Sequence, residues 1–263
     1  MGRALIGGLL RSGRRAEQLS VGEPVPDVRA TLARELGICA LADNREVIAG
    51  AEIVVLAVKP QHLASVLAPL ATRLTAARPL VISVAAGVRT STLEAWCGSG
   101  VPVVRAMPNR PALIGAGVSG LYAPPGVGPS ERAAAEQVLR SVGEVAWVSA
   151  EEALDVVTAL SGSGPAYFFL LAELMAEAGE ELGLDAETAR RLAAATLHGA
   201  GLMAQSGDGD LARLRAEVTS PGGTTSAAVA ILEGAQLRDT VRAALGAATR
   251  RCRELAAAAA AAD

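Results

Sequence analysis

The feature that most constrains this chain is a change of rhythm near residue 150. Before it, seven short runs, "QLSV", "ICALA", "EIVVLAV", "PLVISV", "VPVVRAM", "VSGLYA" and "EVAWVS", alternate with amphipathic helical stretches. Several are almost continuously apolar, as strands buried on both faces of a parallel sheet must be. After Ala150 such runs stop and helical periodicity carries on, broken only by "SGSGP", "ELGLD", "QSGDGD" and "TSPGG". The pattern predicts a doubly wound α/β domain over residues 1–150 and an all-helical domain over 151–263, and 263 residues suffice for two cores.

The helical half carries "AYFFLLAELMAEAGEELG" and "AETARRLAAATLHGAGLMAQ", apolar on faces broader than one small bundle can bury. A helical dimer interface follows as the expectation. The closing "AAAAAAAD" reads as a frayed low-complexity tail.

Composition narrows the chemistry. With 51% hydrophobic and 19% charged residues and a net charge of -3, the chain has no electrostatic footprint for nucleic acid or anionic lipid, which favours a small-molecule substrate. Cys39, Cys97 and Cys252 are too far apart for a disulfide framework or zinc site and fit a reducing cytoplasm. His62 and His198 read as structural, and no metal is expected. The uncharged run from Val156 to Ala172 approaches membrane-span length, but "SGSGP" interrupts it and Glu173 and Glu177 follow, so no membrane partner is expected.

The opening "MGRALIGGLLRSG" has helical spacing at Leu5, Ile6, Leu9 and Leu10 and a stop at Gly13. A dinucleotide-binding domain enters such a helix from a strand and a glycine-rich loop, so that helix amides face the pyrophosphate. Met1 and Gly2 stand where that loop ends, Gly2 at its third-glycine position. The expectation is that the first strand, central in the order 3-2-1-4-5-6, and most of the loop lie upstream of this sequence, about ten residues in all. Glu23, about twenty residues on, occupies the place of an acid that binds ribose hydroxyls, although acids at strand ends are often only solvated turn residues.

Three further stretches end predicted strands at the carboxyl edge of the sheet, where doubly wound folds bind ligands. "LAVKPQ" carries Lys59, the only lysine of the chain, which a solvated strand end explains equally well. "SVAAGV" offers the small residues Ala85, Ala86 and Gly87, leaving room for a flat ring or for a tight turn. "RAMPNRP" fixes a loop that presents Asn109. Beyond them, "TALSGSGPAYFF" suits helix initiation at Pro165, with Ser161 and Ser163 as caps and glycines that let backbone approach a ligand. In "EVTSPGGTTSAAVAIL", a helix beginning near Thr224 would aim the amides of Gly223, Thr224 and Thr225 at one anion, such as a carboxylate; an ordinary turn and cap is the alternative.

In this order, "AVKPQ", "RAMPN", "SGSGPAY" and "VTSPGGTT" resemble the pyrroline-5-carboxylate reductase family from Met1 to about residue 255. The resemblance implies a Rossmann-like domain, a helical domain that interlocks into homodimers, sometimes larger rings, and reduction of a cyclic imine to proline by NADH or NADPH. It implies a cofactor site of Gly2, Glu23, Asn44, Ala57, Val58, Lys59, Pro60, Ala85, Ala86 and Gly87. It also implies a substrate site of Ser163, Gly222, Gly223, Thr224 and Thr225, with the Thr225 hydroxyl on the ring nitrogen as the catalytic contact. Arg110 stands where the family has threonine and Leu211 where it has proline. Two rivals remain at this stage. One is a hydroxyacid dehydrogenase relative, which commonly uses a lysine that this helical half lacks; the other is a truncated, inactive or purely dinucleotide-binding protein of the same fold.

Overall fold

Alternate residues of a buried strand face opposite sides of its sheet, and here both sides are fully covered. In the computed structural model, which describes residues 1–207 and 209–260, the neighbours Val81 and Ile82, and Val103 and Val104, are all buried to 0% exposure. Val81 and Val103 pack with Leu63, Leu67, Leu74, Leu93 and Cys97 on one face. Ile82 and Val104 pack with Ala4, Leu5, Leu121, Leu139 and Val142 on the other.

All seven expected strands form: β1 (Ser20–Gly22), β2 (Cys39–Leu41), β3 (Ile53–Leu56), β4 (Leu80–Ser83), β5 (Val103–Pro108), β6 (Gly117–Tyr122) and β7 (Gly143–Trp147). They make two hydrogen-bonded sheets, β1-β2 and β3-β4-β5-β6-β7, with no pairing between β1 and β3 among the described residues. The interruption falls at the position that the order 3-2-1-4-5-6 assigns to a first strand.

Helices α1 (Gly2–Arg11), α2 (Pro26–Leu36), α3 (Asn44–Val47), α4 (Leu63–Leu67), α5 (Ala71–Ala77), α6 (Thr90–Cys97) and α7 (Pro129–Arg140) surround the strands. Then come α8 (Ala153–Val157), α9 (Gly164–Glu181), α10 (Ala186–Ser206), α11 (Leu211–Glu217), α12 (Thr224–Gly234) and α13 (Leu237–Ala260).

Four expectations are corrected. The sheet is not wholly parallel: β6 runs antiparallel to β5. The short connection at 109–116 holds only a 3-10 turn, Arg110–Ile114, and is too short for the crossover that a parallel partner needs. "SGSGP" does not end a helix either. The chain stays helical from Ala153 to Glu181, passing through a π-helical turn at Thr158–Gly162. By length and composition this run could cross a membrane, so the interruption cited against a span is absent.

The boundary also moves. One compact unit comprises Met1–Ser163 with the chain from Ala248 on, and the other is Gly164–Ala247. Residues 151–163 join the first because Glu151 and Asp155 pair with arginines on and beside its strands. Finally, the alanine tail is helical through Ala260, and Ala256 is buried at 6% exposure; residues 261–263 lie outside the described residues.

The second unit is built differently. Its only buried apolar side chains among the described residues are Ala176, Ala189 and Ala193, where α9 meets α10. Phe168, Phe169, Leu174, Met175 and Ile231 each remain half-exposed or more.

Candidate functional site

In the first unit, the entry of α1 meets the end of β3. A Cβ at Gly2 would stand 3.3 Å from that of Ala57, closer than most side chains tolerate. Ala4 and Leu5 both donate to the Met1 carbonyl (2.9 and 3.1 Å), leaving the amides of Gly2 and Arg3 without protein partners among the described residues. Two free amides at the positive end of a helix dipole, beside a strand end cleared of side chains, fit a dinucleotide pyrophosphate.

Ala57 and Lys59 are exposed beyond β3, and Val58 packs partly onto the core. Pro60 opens a 3-10 turn over Pro60–His62. At the end of β1, Glu23 donates its amide to the Leu41 carbonyl (2.9 Å) and accepts at Oε1 from the Val25 amide (2.9 Å). Asn44 begins α3 and lies over Gly22, where any Cβ would strike its Oδ1 at 1.9 Å.

The "SVAAGV" turn divides its residues. Ala85 is buried in the core, and Gly87 adopts φ +77, which favours glycine. A Cβ at Gly87 would lie 3.5 Å from the backbone nitrogen of Ala256, so α13 occupies that side of the turn. Ala86 stays exposed.

Asn109 links two of the quoted motifs. Its Nδ2 donates to the Ser161 carbonyl (3.1 Å) and its Oδ1 accepts from the Val118 amide (3.0 Å). The reason lies in Pro165: with no N–H, it cannot donate to the carbonyl four residues back, which is that of Ser161. The same proline explains the π turn, which closes by the Ser163 amide on Thr158 (2.9 Å). Ser161 caps nothing, since its hydroxyl donates back to Val157 (2.9 Å).

A buried ionic cluster escaped the sequence reading. Glu151 Oε1 accepts from Arg105 Nη1 (2.6 Å) and from the Thr90 amide (2.6 Å), and its Oε2 from the Thr90 hydroxyl (3.1 Å). Arg89 donates to Asp155 (2.7 Å), whose other oxygen accepts from Cys252 Sγ at 3.6 Å. Burial works against the Arg89 guanidinium, yet the hydrogen bond and charge of Asp155 hold it above its ordinary pKa. Burial pushes the Cys252 thiol up. The available signal was Arg105 itself, a charge inside the apolar run "VPVVRAM" that demands a buried partner. Spacing could not reveal that the partner lies 46 residues away.

In the second unit, Gly222 takes φ +70 and Gly223 becomes the extended N-cap of α12, which starts at Thr224 as expected. One detail is corrected. The Gly223 amide donates to the Ser220 carbonyl (3.0 Å), so it cannot face an anion. Among the described residues, the first-turn amides without a protein partner are those of Thr224, Thr225 and Ser226, because Ala227 already bonds back to Gly223 (3.2 Å). Thr224 and Thr225 are exposed. Leu211, which stands where the family has proline, begins α11, and Asp210 caps that helix by accepting from the amides of Ala212 and Arg213 (both 3.0 Å). Ser163 belongs to the first unit, half-buried at the end of the π turn.

Two family models match this chain: "Pyrroline-5-carboxylate reductase dimerisation" over residues 151–255 and "NADP oxidoreductase coenzyme F420-dependent" over residues 1–87. A pyrroline-5-carboxylate reductase of Pseudomonas aeruginosa is 46% identical over 256 residues, covering 97% of this chain and 93% of that protein. The solved pyrroline-5-carboxylate reductase of Coxiella burnetii superposes with a TM-score of 0.93 at 41% identity, covering 97% of this chain and 94% of that one. That of Plasmodium falciparum, solved with NADP bound, gives 0.83 at 29% identity, covering 97% and 94%. With its Rossmann-like unit and a helical segment matching the dimerisation model, this chain belongs to the pyrroline-5-carboxylate reductase family.

Proposed function

We propose that this protein reduces 1-pyrroline-5-carboxylate to L-proline with NADH or NADPH, the last step of proline biosynthesis. The observation that carries the reading is the entry of α12: among the described residues, three amides at Thr224, Thr225 and Ser226 without protein partners, two threonine hydroxyls, and no competing side-chain cap. Such an end holds a carboxylate through hydrogen bonds and the helix dipole, with no arginine needed.

A nicotinamide dinucleotide held by the first unit would supply the hydride that the imine carbon needs, with a proton going to the nitrogen. The residues of this chain then have two tasks. The amides of the α12 entry fix the carboxylate and so orient the ring. The Thr225 hydroxyl hydrogen-bonds the ring nitrogen as it becomes an amine. Gly222 and Gly223 keep the approach to the α12 entry open. On the first unit, Gly2, Glu23, Asn44, the Ala57–Pro60 stretch and Ala85–Gly87 form the dinucleotide site, with Gly2 and Arg3 amides on the pyrophosphate. Ala85 and Gly87 contribute there through backbone, since the side chain of one and the Cα face of the other are occupied.

The protein acts in the cytoplasm as a homodimer, or a ring of such dimers, without nucleic-acid or membrane partners. The half-exposed apolar run of α9 supports the homodimer alone, because a dimerisation segment covers such a face with a second copy. Thr225→Val tests the chemistry: turnover of the imine should fall about ten- to a thousandfold, the scale of one lost transition-state hydrogen bond, while dinucleotide affinity holds. Unchanged kcat and KM would remove Thr225 from the mechanism. Absence of nicotinamide oxidation with pyrroline-5-carboxylate in the unaltered protein would overturn the reading itself.

A further inference from the structure

The Ala85–Gly87 turn does not hold itself in place. Ala85 and Val88 anchor its two ends in the core, but the amides of Ala86, Gly87 and Val88 find no protein partner among the described residues. The Ala85 amide makes one local bond, to the Ser83 hydroxyl (3.4 Å). A turn with so few hydrogen bonds of its own takes its position from what flanks it.

Both flanks lead to one carboxylate. On the near side Arg89, two residues past Gly87, donates through Nη2 to Asp155 Oδ2 (2.7 Å) and through Nη1 to the Glu151 carbonyl (3.4 Å). On the far side α13 covers Gly87 with the backbone of Ala256, and Cys252, one turn earlier on the same helix face, donates Sγ to Asp155 Oδ1 (3.6 Å). Arg253 Nε stands 3.8 Å from Oδ2 of the same group. Glu151, four residues before Asp155, fixes the entry of α6 just beyond Arg89 by accepting from the Thr90 amide (2.6 Å). At 1% exposure, Asp155 meets little solvent that could replace these partners.

We infer that Asp155 is a positioning residue for the dinucleotide, tying the Arg89 flank and the α13 flank of the Ala85–Gly87 turn to one buried carboxylate. The inference rests on reading the first unit as a dinucleotide site. Asp155 acts through the turn and not on the cofactor itself. Without its charge, the partly buried Arg89 guanidinium loses its counter-ion and the two flanks lose their common anchor. A displacement of about 1 Å in such a support is enough to weaken what it holds.

The test is dinucleotide affinity, read by nicotinamide fluorescence with NADH and with NADPH, beside thermal unfolding and steady-state kinetics of the whole protein. Asp155→Asn should weaken the better-bound dinucleotide by about fivefold or more, a part of what one charge-assisted hydrogen bond is worth, and leave the imine KM at saturating dinucleotide within about twofold. Arg89→Gln cuts the same link from its more exposed end and should act alike. The double variant should then be no worse than the stronger single change, because the two residues act through one link. Leu121→Ala is the control for stability: it empties a buried site on the other face of the sheet, and should lower the melting temperature without moving the affinity. Unchanged affinity in both single variants, an equal loss in Leu121→Ala, losses that add in the double variant, or an imine KM that moves as far as the dinucleotide affinity would each overturn the inference. Should Asp155→Asn not fold, Arg89→Gln decides alone. Binding of neither dinucleotide by the unaltered protein would sink the dinucleotide site itself, and the inference with it.

Discussion

The two units of this chain solve the burial problem in opposite ways. The first has apolar clusters on both faces of its main sheet, with Leu63, Leu67, Ile82, Leu93 and Leu121 all at 0% exposure. The second, at 84 residues, has among its described residues three buried alanines and a surface of Phe, Leu, Met and Ile. An 84-residue body with so little core cannot offset the conformational entropy of its helices by itself. The difference teaches that the first unit buries its apolar side chains within itself, whereas the second leaves them for a partner copy, in keeping with the match of residues 151–255 to a dimerisation model.

The sharpest way to break the comparison is to charge the exposed face of α9. Phe168 and Leu171 lie one turn apart and are 58% and 49% exposed. Phe168→Asp with Leu171→Asp should abolish the dimer in sedimentation experiments at micromolar concentration, costing about 3–6 kcal/mol from apolar burial alone. An unchanged sedimentation coefficient would mean that this face is not the interface.

A core deletion in the first unit should do the reverse. Leu93→Ala empties a fully buried site, and about 2–5 kcal/mol of stability should be lost in chemical denaturation while the dimer persists. Loss of the dimer in this variant would blur the division between the units.

Asn109→Ala should rank next, costing about 1–3 kcal/mol for each of the two groups it orphans, the Ser161 carbonyl and the Val118 amide. Asn109→Asp keeps the acceptor and loses the donor, so its denaturation midpoint should fall between those of Asn109→Ala and the unaltered protein.

The smallest effect concerns a thiol. Burial holds the Cys97 thiol up at about 11, above the 9.0 of an unburied thiol, so the unfolded chain releases this proton first. Its contribution to stability is therefore full below about pH 9 and is lost as pH rises toward 11. At pH 8 the exposed Cys39 should label with a maleimide well before Cys97. Equal labelling rates would show that the first unit opens as readily as a thin-cored one.

What the sequence determined by itself is the set of elements whose signal is local. The middle strands β4 and β5 were legible because burial on two faces demands runs rich in Val, Ile and Leu, and the partly exposed β1, β2 and β7 because short apolar runs are set off there by turn residues. The start of α12 at Thr224 was legible because proline and two glycines can only be a turn before a helix. The large apolar faces of α9 and α10 announced a partner because no single bundle of that size covers them.

What only the tertiary structure decided depends on groups far apart in the chain. Arg105 finds Glu151, Asn109 finds the carbonyl that Pro165 cannot serve, and α13 returns to cover Gly87. These pairings settle which polar groups are spent: the Gly223 amide is spent on Ser220, and the Asn109 carboxamide on Ser161 and Val118. A residue type states what a side chain can bind. Whether it is free to do so depends on desolvated neighbours that satisfy it first, and those neighbours are set by packing.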